Sequence, residues 1–220
     1  MKKGLTELVF ILDRSGSMHG LTNDTIGGFN SMIESQKAED GEAYVTTVLF
    51  DDYDEILHDH VNINDIKPIT KKEYYARGLT ALLDAVGKTI NLVGNRLAET
   101  QEEERPEKVI FVITTDGMEN ASRNFTKEKV KQMIEHQQSK YSWVFMFLGA
   151  NIDAVGEAES LGINSAFSKT YTASDIGTAS VYSCTSSALS SVRNIDTMEC
   201  CMDWMAMAAE CTSEALADIK

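Results

Sequence analysis

Apolar residues in this chain gather in short unbroken runs, and the main runs stop abruptly at polar or turn-forming residues. Leu8-Val9-Phe10-Ile11-Leu12 stops at Asp13-Arg14-Ser15-Gly16-Ser17-Met18. Val109-Ile110-Phe111-Val112-Ile113 stops at Thr114-Thr115-Asp116-Gly117, and a third run covers residues 143–148. Runs this short, rich in β-branched and aromatic residues, read as strands buried on both faces. Residues 43–50, rich in Val and Thr, read as a further strand. Residues 56–63 alternate less cleanly (Ile56, Leu57, Val61, Ile63) and read as an antiparallel edge partner, and residues 166–169 as a last short strand.

Between the runs the period lengthens. Residues 25–37 show partial helical spacing. Residues 80–97 form the clearest amphipathic stripe, through Leu82, Leu83, Val86, Ile90, Val93 and Leu97. Residues 99–107 are a charged loop. Residues 126–138 read as a helix capped by Thr126, and residues 153–161 as a short helix closed by Gly162. Strand and helix alternate, which predicts a three-layer α/β fold. Its central sheet is mostly parallel, with one antiparallel edge strand and helices on both faces. Composition shifts at Tyr171. Residues 1–170 read as one domain and 171–220 as a helical C-terminal extension of two helices, the second carrying a Met stripe from Met198. Such a stripe packs into a core more often than it binds a partner.

At 220 residues and 43% hydrophobic content the chain supports a real core. The formal charge of −14 argues against nucleic acid and anionic membrane surfaces as partners. The four cysteines, Cys184, Cys200, Cys201 and Cys211, form no Cys-x-x-Cys and have no nearby His. Reduced structural thiols are the expectation. Glu7 and Asp13 bracket an apolar stretch too short for a signal sequence or a membrane span, so a cytoplasmic location is expected.

The chemistry lies where the strands stop. Asp13, Ser15 and Ser17 alternate in a tight loop, Thr80 falls near the start of a helix, and Asp116 follows a strand. Carboxylate and hydroxyl oxygens are hard donors, suited to Mg²⁺, Mn²⁺ or Ca²⁺ and poorly to Zn²⁺. These residues resemble the von Willebrand factor type A (VWA) family, which includes the integrin inserted domains. That family's metal-ion-dependent adhesion site is Asp-x-Ser-x-Ser, then a Thr, then an Asp. All five positions match in order, and the resemblance spans about residues 5 to 165. It implies a Rossmann-like VWA fold and a site in which Asp13, Ser15, Ser17, Thr80 and Asp116 hold Mg²⁺, with Mn²⁺ or Ca²⁺ as alternatives. It also implies an adaptor function, in which the ion captures an acidic residue of a partner protein that the sequence does not identify. Within the family, the resemblance is to bacterial and phage-type stand-alone VWA proteins.

Two other readings stay open. An Asp after a first strand with Mg²⁺ is similar to the haloacid-dehalogenase phosphatases, which would make the chain a Mg²⁺-dependent phosphatase-like hydrolase using Asp13, but their second Asp is here Ser15. Alternatively, the metal is structural within an oligomer. Beyond the five residues, Glu119 and Asn120 are candidates for the rim. Asp51 and Asp52 read as solvated loop carboxylates and His19 as a surface side chain. His58 and His60, at alternate strand positions, point the same way but lack a third metal ligand.

Overall fold

A computed structural model describes residues 1–194 of the chain. The Met stripe from Met198, Cys200, Cys201 and Cys211 lie outside the described residues. The elements are β1 (Lys2–Asp13), α1 (Thr22–Lys37), β2 (Glu42–Phe50), β3 (Asp54–Asn62), α2 (Leu82–Glu99), β4 (Pro106–Thr115), α3 (Lys127–Tyr141), β5 (Val144–Ala150), α4 (Ala154–Ser160), β6 (Ser168–Tyr171) and α5 (Asp175–Asn194). The strands form one sheet in the order β3-β2-β1-β4-β5-β6. All pairings are parallel except β2–β3. The three expected interior strands are therefore adjacent.

Alternation along β1 divides the core. Leu8, Phe10 and Leu12 face one side, where they join Phe29, Met32 and Ile33 of α1 and Val181, Leu189 and Val192 of α5. Phe10 meets Phe29 edge to face at 5.3 Å. Val9 and Ile11 face the other side with Val86, Ile90 and Val93 of α2 and Val130 and Ile134 of α3. There Phe111 stacks on Phe145 at 4.7 Å and on Trp143 at 5.3 Å. Helices α1 and α5 lie close: a methyl group on Gly28 would enter the ring of Tyr182. No helix of the described residues is long and apolar enough to cross a membrane.

Some boundaries and orientations differ from the sequence reading. The metal loop runs into a 3-10 turn, Gly16–Leu21, and α1 starts at Thr22, three residues earlier than expected. The strands β1 and β4 begin earlier too, at Lys2 and Pro106. Thr126 caps α3 as expected, accepting from the Lys129 N–H, and Gly162 takes φ 78° after α4.

The paired-histidine reading fails on geometry. Val45 pairs with Val61 but Thr47 pairs with His58, so Asp59 and His60 both stand against Thr46. This bulge breaks the two-residue alternation, with His60 at φ 53°. His60 stacks on Tyr44 at 4.2 Å, and its Nδ1 lies 2.6 Å from Glu7 Oε2. Glu7, fully buried mid-strand, also accepts from Thr46 Oγ1 at 2.7 Å and from an Arg96 guanidinium nitrogen at 3.0 Å. His58 is half-buried, and the loss of solvent lowers its pKa.

Candidate metal centre

Strand order places the chemistry. The loop after β1 leads towards β2 on one side, and the loop after β4 leads towards β5 on the other. β1 and β4 are neighbours, so a crevice opens between their C-terminal ends, where open α/β sheets bind ligands. Asp13 closes β1 and Asp116 immediately follows β4.

The five candidate residues meet there. Ser17 Oγ donates to Asp116 Oδ1 at 2.5 Å, and the Ser15 and Ser17 hydroxyls are 3.0 Å apart. Asp13 is fully buried, and its carboxylate accepts the Ser15 N–H at 2.7 Å and the Thr115 hydroxyl at 2.6 Å. Thr80 is located by Gly117: a Cβ built there would lie 2.8 Å from Thr80 Oγ1 and 3.2 Å from Ser17 Oγ. Glycine at 117 thus lets the hydroxyls of loops far apart in sequence converge on one small space.

The electrostatics match this arrangement. Burial raises the Asp13 pKa to about 6, against the Thr115 and Ser15 hydrogen bonds that lower it, and the neighbouring Asp116 raises it slightly further. Burial also raises Asp116, partly offset by Ser17. Two carboxylates and three hydroxyls around one space are a hard, anionic donor set that fits a divalent cation. Ser17 is exposed and Asp116 half-buried, so one side of the space opens to solvent.

The loops carrying these groups are tied to each other, which local sequence patterns do not reveal. Residues 66–81 have no regular structure, yet Ile66, Ile69 and Tyr74 anchor them in the core. The Tyr74 hydroxyl donates to the Asp13 carbonyl, the Arg77 N–H donates to Arg14 O at 2.7 Å, and the Gly16 N–H to Gly78 O at 3.1 Å. Glu119 and Asn120 line the site less as a rim than as a clasp. Asn120 exchanges two hydrogen bonds with the Thr80 backbone, at 2.9 and 3.0 Å. Glu119 accepts the Leu83 N–H at 2.9 Å, and Ser122 Oγ accepts that of Asp84 at 3.0 Å. Those N–H groups lie in the first turn of α2, whose own N-cap, Ala81, supplies no side-chain bond. Asp84 in turn accepts the N–H groups of Arg123, Asn124 and Phe125. The Asp116 loop and the Thr80 helix therefore hold each other.

Asp51 is not the solvated carboxylate expected. It is 2% exposed, and its Oδ2 accepts from Arg14 Nε at 2.9 Å and Arg77 Nε at 2.7 Å. Arg14, the second residue of the metal loop, is itself 1% exposed. Burial pushes the Asp51 pKa up, but the bonds from Arg77, the Tyr53 N–H and Arg14 outweigh it and hold it below the usual carboxylate range. Asp52 accepts the Leu79 N–H. Both residues pin the Thr80 loop to the β2–β3 turn. His19 is exposed, as expected.

Gly117→Ala should weaken divalent-metal affinity by roughly tenfold or more without removing a donor, because the methyl must displace Thr80 or Ser17. Titration of both proteins with Mn²⁺ checks this, and an unchanged affinity would mean that Thr80 and Ser17 do not share an ion.

No protein-family model and no curated protein matches the sequence. Solved structures do match. The vWF domain of the type V pili tip protein Mfa5 from Porphyromonas gingivalis superposes with a TM-score of 0.61 at 9% identity, over 88% of this chain and 97% of that one. Proximal thread matrix protein 1 from the mussel byssus, with a zinc-occupied MIDAS motif, gives 0.58 at 17% identity over 86% of this chain and 46% of its own. The chain thus spans under half the length of the mussel protein. Manganese-loaded TRAP protein of Plasmodium vivax gives 0.56 at 16% identity, over 78% and 70%. The six-stranded, mostly parallel sheet with its helical layers is the von Willebrand factor type A fold.

Proposed function

We propose that this protein is a divalent-metal-dependent binding module that captures an acidic side chain of a partner protein. The observation that carries the reading is the meeting of Asp13, Ser15, Ser17, Thr80 and Asp116 at the crevice between β1 and β4, with its Ser17 and Asp116 side open to solvent. Ser15, Ser17 and Thr80 would hold the ion through neutral oxygens. Asp13 and Asp116 would supply the negative charge, Asp13 held in place by Ser15 and Thr115. A bound divalent ion supplies a Lewis-acidic position that favours an anionic oxygen. Zinc at the MIDAS of the mussel protein and manganese in the Plasmodium protein support a divalent ion in this fold. Mg²⁺ is our expectation here, since it retains exchangeable waters beside one or two carboxylates.

The experiment is partner capture from native lysate in Mg²⁺ and in EDTA, with wild-type protein and Thr80→Val. Partners that depend on Mg²⁺ and are lost with Thr80→Val are expected. Recovery of the same proteins under all conditions would refute metal-dependent capture.

A further inference from the structure

Large apolar side chains are exposed in the loops beside the candidate metal centre. Nine large hydrophobic side chains are exposed among the described residues. Four of them sit in the three loops that meet at the site: Tyr53 at 74%, Tyr75 at 42%, Leu79 at 55% and Met118 at 79% exposed. Leu79 precedes Thr80, and Met118 is two residues after Asp116. Tyr75 lies under the Arg77 guanidinium, 5.2 Å from its ring centroid, and Tyr53 occupies the β2–β3 turn pinned by Asp51. Scattered exposed apolar residues need no explanation, but four gathered in neighbouring loops at one sheet edge point to an interaction surface.

Charge indicates the occupant. The chain carries a formal −14, which repels an acidic partner over most of its surface. The carboxylates of these loops are engaged by cations or N–H groups. Asp51 binds Arg14 and Arg77, Glu55 binds Arg14, and Asp54 binds Lys88. Asp52 accepts the Leu79 N–H, and Glu119 accepts those of Leu83, Ala121 and Ser122. The exposed apolar side chains thus border a place where a bound cation would attract a carboxylate, in loops whose other carboxylates are paired with cations or held by N–H groups.

We infer that the partner segment carries its acidic residue between large apolar side chains, and that Tyr53, Tyr75, Leu79 and Met118 select it by burying them. The inference rests on the metal-capture reading above. It assigns affinity to the ion and selectivity to these four side chains, since apolar anchors in a desolvated ring contribute most at such interfaces.

The test is selection from a random peptide library with a fixed central glutamate, on wild-type protein in Mg²⁺. A parallel library carries central glutamine. EDTA-sensitive binders should come from the glutamate library and be enriched in Leu, Met, Phe, Tyr or Trp within two residues of the glutamate. Leu79→Ser with Met118→Ser should bind the selected peptides on the order of tenfold more weakly, while binding Mn²⁺ as wild type does. EDTA-sensitive binders with no apolar enrichment would overturn the apolar selection and leave metal capture standing. Binders indifferent to EDTA and to glutamine, or no binders at all, would overturn both. Mg²⁺-dependent self-association of the protein, read by sedimentation without peptide, would overturn the inference by making a second copy the occupant.

Discussion

Asp51→Asn should destabilise the protein by about 3–5 kcal/mol at neutral pH, the largest effect expected of any single substitution outside the apolar core. Arg14 is fixed inside the protein by the metal loop, whose N–H bonds Phe50 O and whose carbonyl accepts from Arg77. Its charge is balanced there mainly by Asp51, with partly exposed Glu55 as a second partner at 2.8 Å. An amide removes the negative charge and turns either its NH₂ towards two guanidinium groups or its oxygen away from the Tyr53 N–H. Glu55 remains, so the lower end of that range is expected. The sign of the pH dependence follows from a pKa held below the ordinary 3.8. The Asp51 contribution is fully present above that value and is lost as pH falls through the lowered one. Wild type and variant should therefore converge in acid. Urea unfolding at pH 7 and at successively lower pH below 3.8 measures both; a gap that never narrows in acid, or a gap below about 1 kcal/mol at pH 7, would mean that Arg14 does not depend on Asp51.

Asp13→Asn should act in opposite directions with and without metal. Without metal, wild type keeps a buried carboxylate whose pKa is raised to about 6 by burial first and by Asp116 last. A raised carboxylate pKa means a stability cost that is present above pH 6 and relieved as pH falls towards the ordinary value. The asparagine variant avoids that cost but loses one hydrogen bond, from Ser15 or Thr115. In EDTA at pH 7 it should be roughly 1–2 kcal/mol more stable than wild type. Metal reverses the order. An ion at a hundred times its dissociation constant stabilises the folded wild type by about 2.7 kcal/mol, and the variant should gain little. Scanning calorimetry in EDTA and in Mn²⁺ reads the crossover. A variant that responds to metal as wild type does would take Asp13 out of the site.

Much of this architecture was legible because it is local. Leu8 to Leu12 and Val109 to Ile113 are interior strands, as their unbroken runs predict, and the residues that stop them are the candidate donors. Thr80 was legible by its place before the strongest amphipathic stripe. What the sequence hid depends on partners far along the chain. Asp51 reads as a solvated carboxylate until Arg14, 37 positions away, is seen beside it. Glu7 looks like the polar edge of an apolar run, yet it is buried because Arg96 and His60 reach it. The β3 bulge that separates His58 from His60 has no glycine to announce it; His60 itself adopts the left-handed conformation. Glu119 gave no sign that it satisfies the first turn of another loop's helix. Periodicity reports which face a residue occupies, and it carries no information about which distant charge or N–H will meet it there.

On the proposed function, Asp13, Ser15, Ser17, Thr80 and Asp116 together hold one divalent ion. Anomalous diffraction at the manganese edge, from crystals of the full chain grown with Mn²⁺, tests it most directly. One strong peak is expected in the crevice between β1 and β4, beside the oxygens of Ser15, Ser17 and Thr80. A peak elsewhere, or none at that crevice at saturating Mn²⁺, would contradict it.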